Sequence, residues 1–295
     1  MTCTALEHAL AADKSGLQIE VWDGYSWSWE SAAIPTAGCY TPLHAYGLIV
    51  SDDGWTLGSA DPALTLVSTP GRPGSVDQTE EAPGLAAYPN RRKVEINLAA
   101  IGDPSQIQEA MANAGGWSGK RLRAIGLLPD PRLAVEGRAS MGKWAFKYRA
   151  GGALVAATGK LTIDALPYAY APTEHADLAA GPNSVTIKGN APVRPFVSLD
   201  SQAGSTAPQG VEYSPDTGHT HLLKAAHSSS TGWSFWCAER VCKLGSDYAG
   251  GEGIYGENAW LDIAMTADWL ELAPGAITLS SSTTGFIEYE PAYLF

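Results

Sequence analysis

The second half of the sequence alternates between short apolar segments and turn residues, and this pattern restricts the folds that the chain can adopt. Eight segments have the length and composition of strands: 184–189, 194–200, 209–213, 219–226, 231–236, 257–265, 276–281 and 285–294. Turn sequences such as Gly189-Asn190 and Asp216-Thr217-Gly218 separate several of them. Eight short strands in about 120 residues are typical of a β-sandwich or a jelly roll.

The last of these segments is apolar and aromatic, which is unusual at a chain end. The sequence finishes on Tyr289-Glu290-Pro291-Ala292-Tyr293-Leu294-Phe295, and Pro274-Gly275 forms a turn ahead of the final hairpin. We therefore predict that residues 285–294 pair into a sheet or lie buried against a partner protein.

Composition supports a mainly β chain and narrows the choice of partners. A length of 295 residues suits about two domains. The 32 Gly and 19 Pro supply turns, while ten Trp and twelve Tyr favour strands. A net charge of −12 argues against nucleic acid as a partner, because phosphate binding requires a basic face.

No segment of the sequence predicts export, membrane insertion or a zinc site. Met1 to Gly16 lacks the basic and apolar regions of a signal peptide, and no apolar run approaches the roughly 20 residues of a membrane helix. We expect a protein that is made and assembled in the cytosol, with no membrane partner. Cys3, Cys39, Cys237 and Cys242 include no CxxC pair, so they predict incidental thiols or one small disulfide loop.

The first half of the sequence predicts a second β domain with one helix. Asp103 can cap that helix, Pro104 suits its first position, Gln106 can complete a capping box, and Gly115-Gly116 ends it. We divide the chain into an N-terminal extension, a first domain, a linker and a sandwich. Their bounds are 1–45, 46–172, 173–183 and 184–295.

The sequence contains no constellation that predicts catalysis. His219 and His221 share a strand face but have no third metal ligand at a typical spacing, so polar strand residues are the better interpretation. No GxSxG nucleophile motif is present, and the Gly-rich segment 249–253 lacks the Lys-Ser/Thr of a phosphate loop. We predict a protein without enzymatic activity, cofactor or metal.

The tryptophans of the second half allow two interpretations. Trp233, Trp236 and Trp260 could form a platform on which a sugar stacks. They could equally fill a core or an interface. Their exposure decides between these interpretations.

Four segments resemble the distal tail proteins of long-tailed phages, also called minor tail or tail-hub proteins. The first is the loop Val67–Asp77, which the basic Arg91-Arg92 follows, and the second is the helix at 104–114 together with the Asp130-Pro131-Arg132 turn. The third is the strand Leu161–Tyr170. The fourth combines Asn183–Pro195, Trp269–Gly275 and the C-terminal strand. The resemblance extends from about residue 46 to residue 295.

The resemblance implies a structural virion protein. It implies an N-terminal β-sandwich belt domain with one helix, a C-terminal galectin-like β-sandwich, and a ring, hexameric by expectation, that joins the tail tube to the tail-tip or baseplate proteins. Candidate ring-interface residues are Pro70, Gly71, Arg72, Gly74, Arg91 and Arg92. The alternative function is a carbohydrate-binding sandwich that contacts the host surface.

Overall fold

The computed structural model describes most of the chain. The described residues are 16–22, 27–28, 43, 46–68, 75–80, 87–201, 207–215, 220–226, 232–238, 240–244, 263–264 and 267–295. They divide into two compact units, the first built from residues up to 62, residues 89–170 and Phe295, and the second from 63–88 and 171–294.

The described residues are mainly strands, which confirms the predicted fold class. The first half contains β1 (Gln18–Trp22), β2 (Trp27–Ser28), β3 (Leu48–Leu57), β4 (Leu66–Ser68), β5 (Ser75–Asp77), β6 (Arg92–Ile101), helix α1 (Pro104–Gly115), β7 (Arg121–Ile125), β8 (Ala134–Met141), β9 (Ala145–Tyr148) and β10 (Leu154–Tyr170). The second half contains β11 (Glu174–Leu178), β12 (Gly181–Ile187), β13 (Phe196–Leu199), β14 (Gly210–Tyr213), β15 (His221–Lys224), β16 (Trp233–Trp236), β17 (Val241–Leu244), β18 (Gly275–Ser281), β19 (Gly285–Tyr289) and β20 (Ala292–Tyr293).

The first unit is built on an antiparallel sheet whose longest strand is β10. The sheet order is β2-β1-β7-β8-β10-β6-β3, and β9 pairs with β10 beyond the end of β8. Along β6, Val94, Ile96 and Leu98 are fully buried while Lys93 is exposed. This period-2 pattern places the core on one face of the sheet.

Strand β10 pairs with β6 along one edge and with β8 and β9 along the other. Its register against β8 shifts between Ala165 and Ala169, a segment that contains Pro167. Proline has no N–H to donate to a ladder, so a strand accommodates it at such a bulge. Gly137 lies opposite Ala165, and a Cβ at this position would lie 2.3 Å from the Asp164 carbonyl oxygen.

Helix α1 begins and ends as the sequence predicts. Asp103 Oδ1 accepts hydrogen bonds from the backbone N–H groups of Ser105 and Gln106, and Gln106 Oε1 accepts from the N–H of Asp103. These bonds also lower the pKa of the Asp103 carboxyl. Ile107, Ala110 and Ala114 are buried where the helix packs against β6 and β10.

The second unit contains two sheets that form a sandwich. Their strand orders are β11-β19-β13-β16-β17 and β12-β18-β14-β15. Tyr289 of β19 joins the sheets, because its hydroxyl donates to the carbonyl of Thr186 in β12 at 3.0 Å. Segment 173–183 was predicted as a linker, but it contains β11 and the start of β12, which pair with β19 and β18.

Strands β4 and β5 form a separate two-stranded hairpin in segment 63–88. A contact near the end of this segment anchors it within the second unit. The Tyr88 hydroxyl donates to Glu271 Oε2 at 3.0 Å, and Arg194 pairs with the same oxygen at 3.2 Å. Burial and the Glu271 carboxylate raise the pKa of Tyr88 to about 12.

Candidate functional site

The described residues include ionisable side chains and thiols. Among them, no group of three or more His, Cys, Asp or Glu side chains is arranged to hold a metal ion. Within the same residues, no helix has the length and apolar character needed to span a membrane. Cys237 and Cys242 are buried and form no disulfide bond, while Cys3 and Cys39 lie outside the described residues.

The two arginines predicted as interface residues have opposite environments. Arg91 is accessible, and its Nε lies 2.9 Å from Asp164 Oδ2. Arg92 is only 2% exposed, and its guanidinium carbon lies 5.8 Å from the centre of the Phe295 ring. None of the described residues accepts a hydrogen bond from its three guanidinium nitrogens, and burial lowers the pKa of this group. Arg92 therefore presents no surface to a neighbouring chain, and Arg91 remains a candidate.

The other four predicted interface residues, Pro70, Gly71, Arg72 and Gly74, lie outside the described residues. They belong to the connection between β4 and β5, whose strands are described on both sides of it. All of β4 is exposed. The strand that leads into the predicted loop is therefore exposed to solvent.

A second exposed element is β9. The alternation of Trp144, Phe146 and Tyr148 with lysines suggests a half-buried strand, but all four residues of β9 are exposed. Tyr148 is 63% exposed and pairs with Leu154 of β10. The cations that flank these aromatics, Lys147 and Arg149, are the sequence signal for an accessible strand.

An open groove of about 520 Å³ lies on the first unit. Asp52 and Asp53 of β3 line it together with Lys143, Lys147 and Lys160. Lys160 and Lys93 both contact Glu95, and their hydrogen bonds lower the pKa of Glu95 to about 2. The groove thus presents both signs of charge.

The three tryptophans proposed for sugar stacking do not form one platform. Trp233 is fully buried and stacks on Phe235 with ring centres 6.3 Å apart, so its ring offers no face to a ligand. Trp260 lies outside the described residues. Of the two described tryptophans, Trp236 is the accessible one, and it is half-buried.

Trp236 belongs to a row of rings that crosses four strands of the five-stranded sheet. Its ring centre lies 4.8 Å from that of Phe196, which lies 5.9 Å from that of Phe286. His175 stacks on Phe286 at 4.9 Å. At the other end, Lys243 Nζ lies 5.2 Å from the centre of the Trp236 ring. We call the rings of Trp236, Phe196, Phe286 and His175 the aromatic row.

Sequence reasoning missed three members of this row because they are far apart in the chain. The face alternation of each strand offers a signal: Phe286 is half-buried while Ile287 beside it is fully buried. Aromatic residues that form a contiguous row on the outer face of a sheet indicate an interaction surface, whereas a single one would not.

Comparisons of sequence and of structure give different results. No known protein family and no curated protein matches the sequence. The fold is similar to that of the Dit protein of phage SPP1, described as a paradigm of the hub adsorption apparatus in phages that infect Gram-positive bacteria. That similarity has a TM-score of 0.55 at 14% identity and covers 82% of this chain and 95% of the SPP1 protein.

Two chains from phage P2 baseplates in the activated conformation are less similar. The calcium form gives a TM-score of 0.49 at 12% identity over 95% of this chain and 99% of that chain, and the strontium form gives 0.47 at 12% over 92% and 97%. At these identities the comparisons concern the fold. The resemblance to phage distal tail proteins is confirmed at that level.

Proposed function

We propose that this chain is a structural virion protein, a distal tail or minor tail subunit at the tail tip of a bacteriophage. Copies of the chain close into a ring, a homohexamer in the proposed form, that joins the tail tube to the tail-tip hub or baseplate proteins. Residues 46–172 act as the ring-forming belt domain and 184–295 as a galectin-like sandwich. The protein assembles in the host cytoplasm and needs neither cofactor nor catalytic site.

One observation carries this proposal: the fold shared with the SPP1 Dit protein over 82% of the chain. The position of the exposed apolar side chains adds support that is independent of the comparison. Among the described residues, these side chains concentrate on β4, with Leu64 before it, and on β9, which belong to different units. Separate apolar surfaces suit an assembly in which each copy contacts two neighbours.

Light scattering and negative-stain imaging of the purified protein test the proposal. We expect particles with a central hole and a mass near six times that of the 31.0 kDa chain. A chain that stays monomeric at every concentration, with tails that assemble in its absence, would contradict the proposal.

The aromatic row supports a second candidate function, the binding of a saccharide of the host surface. Ring faces stack on the C–H faces of pyranoses, and polar groups at the margin hold hydroxyls. In the row, Asp177 and Glu288 lie beside His175, within 3.1 and 3.3 Å of its ring nitrogens. The row therefore combines ring surface with hydrogen-bonding groups.

Binding to purified cell-wall polysaccharide, measured by calorimetry, tests this second candidate. Trp236→Ala is expected to weaken binding at least tenfold. Thr278→Ala, at an exposed position of β18 in the other sheet of the sandwich, serves as the control and should leave binding unchanged. Absence of binding by the unmodified protein across a glycan array would reject the candidate.

A further inference from the structure

The aromatic row lies on the outer face of the five-stranded sheet. Phe196, Trp236 and Phe286 are half-buried, and His175 is exposed. In each of β13, β16 and β19, a residue adjacent to the ring is fully buried. Because side chains alternate between the two faces of a strand, these rings point away from the core of the sandwich. They therefore form one contiguous and partly accessible surface.

The rings follow the spacing of the strands that carry them. They belong to β16, β13, β19 and β11, which are neighbours in this order, and Lys243 of β17 extends the line to the fifth strand. The centres of neighbouring rings lie 4.8, 5.9 and 4.9 Å apart. These distances are close to the strand separation of about 4.8 Å, and one pyranose unit extends a saccharide chain by a similar length. The row therefore matches a chain that crosses the strands and places successive sugars on successive rings.

The planes of the rings are inclined to one another. The angle is 52° between Trp236 and Phe196, 54° between Phe196 and Phe286, and 29° between Phe286 and His175. Coplanar rings would suit a flat ribbon or the face of a crystalline polymer. Inclined rings suit a single chain whose successive sugars turn about the chain axis, because each sugar can then stack on its own ring. The row therefore favours a single twisted chain.

The two ends of the row carry opposite charges. At one end, Lys243 Nζ lies 5.2 Å from the centre of the Trp236 ring, so an anionic group on a sugar at this ring can pair with the ammonium. At the other end, Asp177 and Glu288 flank His175, and sugar hydroxyls can donate to these carboxylates. The two carboxylates outnumber the imidazolium even when His175 is protonated, so a second anionic group is repelled there. The row therefore complements a chain in which neutral sugars follow one acidic sugar.

We infer that the aromatic row binds a linear, partly acidic polysaccharide as a single chain of at least three sugars laid across the strands. The acidic sugar lies at Trp236 beside Lys243, and neutral sugars lie over Phe196, Phe286 and His175. This inference rests on the second candidate function, the binding of a saccharide. It adds the chemical class of that saccharide and the direction in which the chain lies on the sheet.

A glycan array of linear oligosaccharides tests the class of ligand. The array contains chains of one to six sugars in three sets, with no acidic sugar, with one acidic sugar, or with every sugar acidic. Among chains of three or more sugars, we expect those with one acidic sugar to bind at least tenfold more tightly than neutral ones. Fully acidic chains should bind most weakly, and shortening any bound chain to two sugars should weaken binding at least tenfold.

Two single variants test the direction of the chain from the two ends of the row. Lys243→Gln should remove the preference for one acidic sugar and leave the affinity for neutral chains unchanged, which also shows that the variant is folded. Lys224→Gln is the matched control, since this half-buried lysine of β15 lies in the other sheet, and it should keep the preference. Asp177→Asn, whose native side chain is 92% exposed, should strengthen the binding of fully acidic chains several-fold, because an amide still accepts hydroxyl hydrogen bonds but no longer repels an anion.

The outcomes separate this inference from the candidate function on which it rests. If the unmodified protein binds saccharides without regard to chain length or to the number of acidic sugars, the inference fails while the candidate function stands. The same conclusion holds if the protein shows the expected preference but Lys243→Gln and Asp177→Asn both leave it unchanged. If the unmodified protein binds no glycan of the array, both fail.

Discussion

The two units of this protein bury different kinds of polar side chain. Among the described residues, the first unit buries two charged groups, Arg92 and Glu136. The second buries only neutral groups: Ser198, Gln209, Ser234, Ser281 and Thr283. A buried charge that loses its partner costs several times more free energy than a buried hydroxyl that loses one hydrogen bond. The first unit should therefore respond more strongly to single polar substitutions.

The largest effect is expected at Glu136. This carboxylate contacts the guanidinium of Arg121 and lies 3.4 Å from Arg123 Nη2. Glu136→Ala leaves Arg123, whose side chain is 14% exposed, without this anion, and we expect a loss of about 3 kcal/mol of unfolding free energy in urea. The control Glu212→Ala, at an exposed strand position of the second unit, should stay within about 0.5 kcal/mol. Equal losses of unfolding free energy in Glu136→Ala and Glu212→Ala would contradict the expected difference between the units.

Arg92 should respond with the opposite sign. A methionine of similar length removes a buried cation that donates no compensating hydrogen bond in the described structure. We expect Arg92→Met to raise the unfolding free energy by about 1–2 kcal/mol. The lost contact with the Phe295 ring makes this net gain smaller than removal of the buried charge alone would give. Arg91→Met is the matched control, since Arg91 pairs at the surface with Asp164 and should lose at most about 0.5 kcal/mol. Destabilisation by Arg92→Met would show that the guanidinium has a partner in solution.

In the second unit, the loss of a buried hydroxyl should be smaller. Ser281 Oγ donates to the carbonyl of Thr283 at 2.7 Å, and both residues are buried. Ser281→Ala should cost about 1 kcal/mol, because the buried Thr283 carbonyl loses this hydrogen bond. Ser280→Ala, one residue earlier and exposed, provides the comparison in the same thermal unfolding experiment. If Ser281→Ala lowered the unfolding free energy by 3 kcal/mol or more, the two units would respond equally to the loss of a buried polar group.

The smallest effect is expected from a surface histidine of the second unit. Hydrogen bonding to Asp177, then to Glu288, raises the pKa of His175 above its ordinary value. The protonated form is therefore favoured by folding, so its contribution is complete below about pH 6.5 and disappears as the pH rises through the folded-state pKa.

Because the His175 side chain is half exposed, we expect only a few tenths of a kcal/mol. The difference in unfolding free energy between the unmodified protein and His175→Gln, compared at pH 5.5 and pH 8.5, isolates this contribution. A larger stability advantage of the unmodified protein at pH 8.5 than at pH 5.5 would reverse the expected sign.

The sequence predicts local structure well where short-range chemistry determines it. The Asp103–Gln106 capping box is such a case, since all of its partners lie within one helical turn. The turn at Asp130 is another: its carboxylate accepts from the backbone and side chain of Arg132, which lowers the pKa of Asp130 to about 2.

Features that depend on distant partners could not be predicted in the same way. Residues 173–183 are polar and rich in small residues, yet β11 and β12 form because β19 and β18, about a hundred residues later, offer free edges. The burial of Arg92 has the same origin, because its covering ring belongs to Phe295. The exposure of β9 depends on which elements lie beside it, and among the described residues only β10 pairs with it.

The length of β10 has a mechanical consequence. Its hydrogen bonds to β6 alone extend from Ala156 to Ala165, and β8 and β9 hold the opposite edge. A force applied along the strand would load these bonds together, so rupture would require many of them to break at once. A force that separates β9 from β10, starting at one end of β9, would break the hydrogen bonds between these two strands one at a time. The sheet should therefore resist tension along β10 far better than tension across it, and the forced-unfolding rate should depend on the direction of pull.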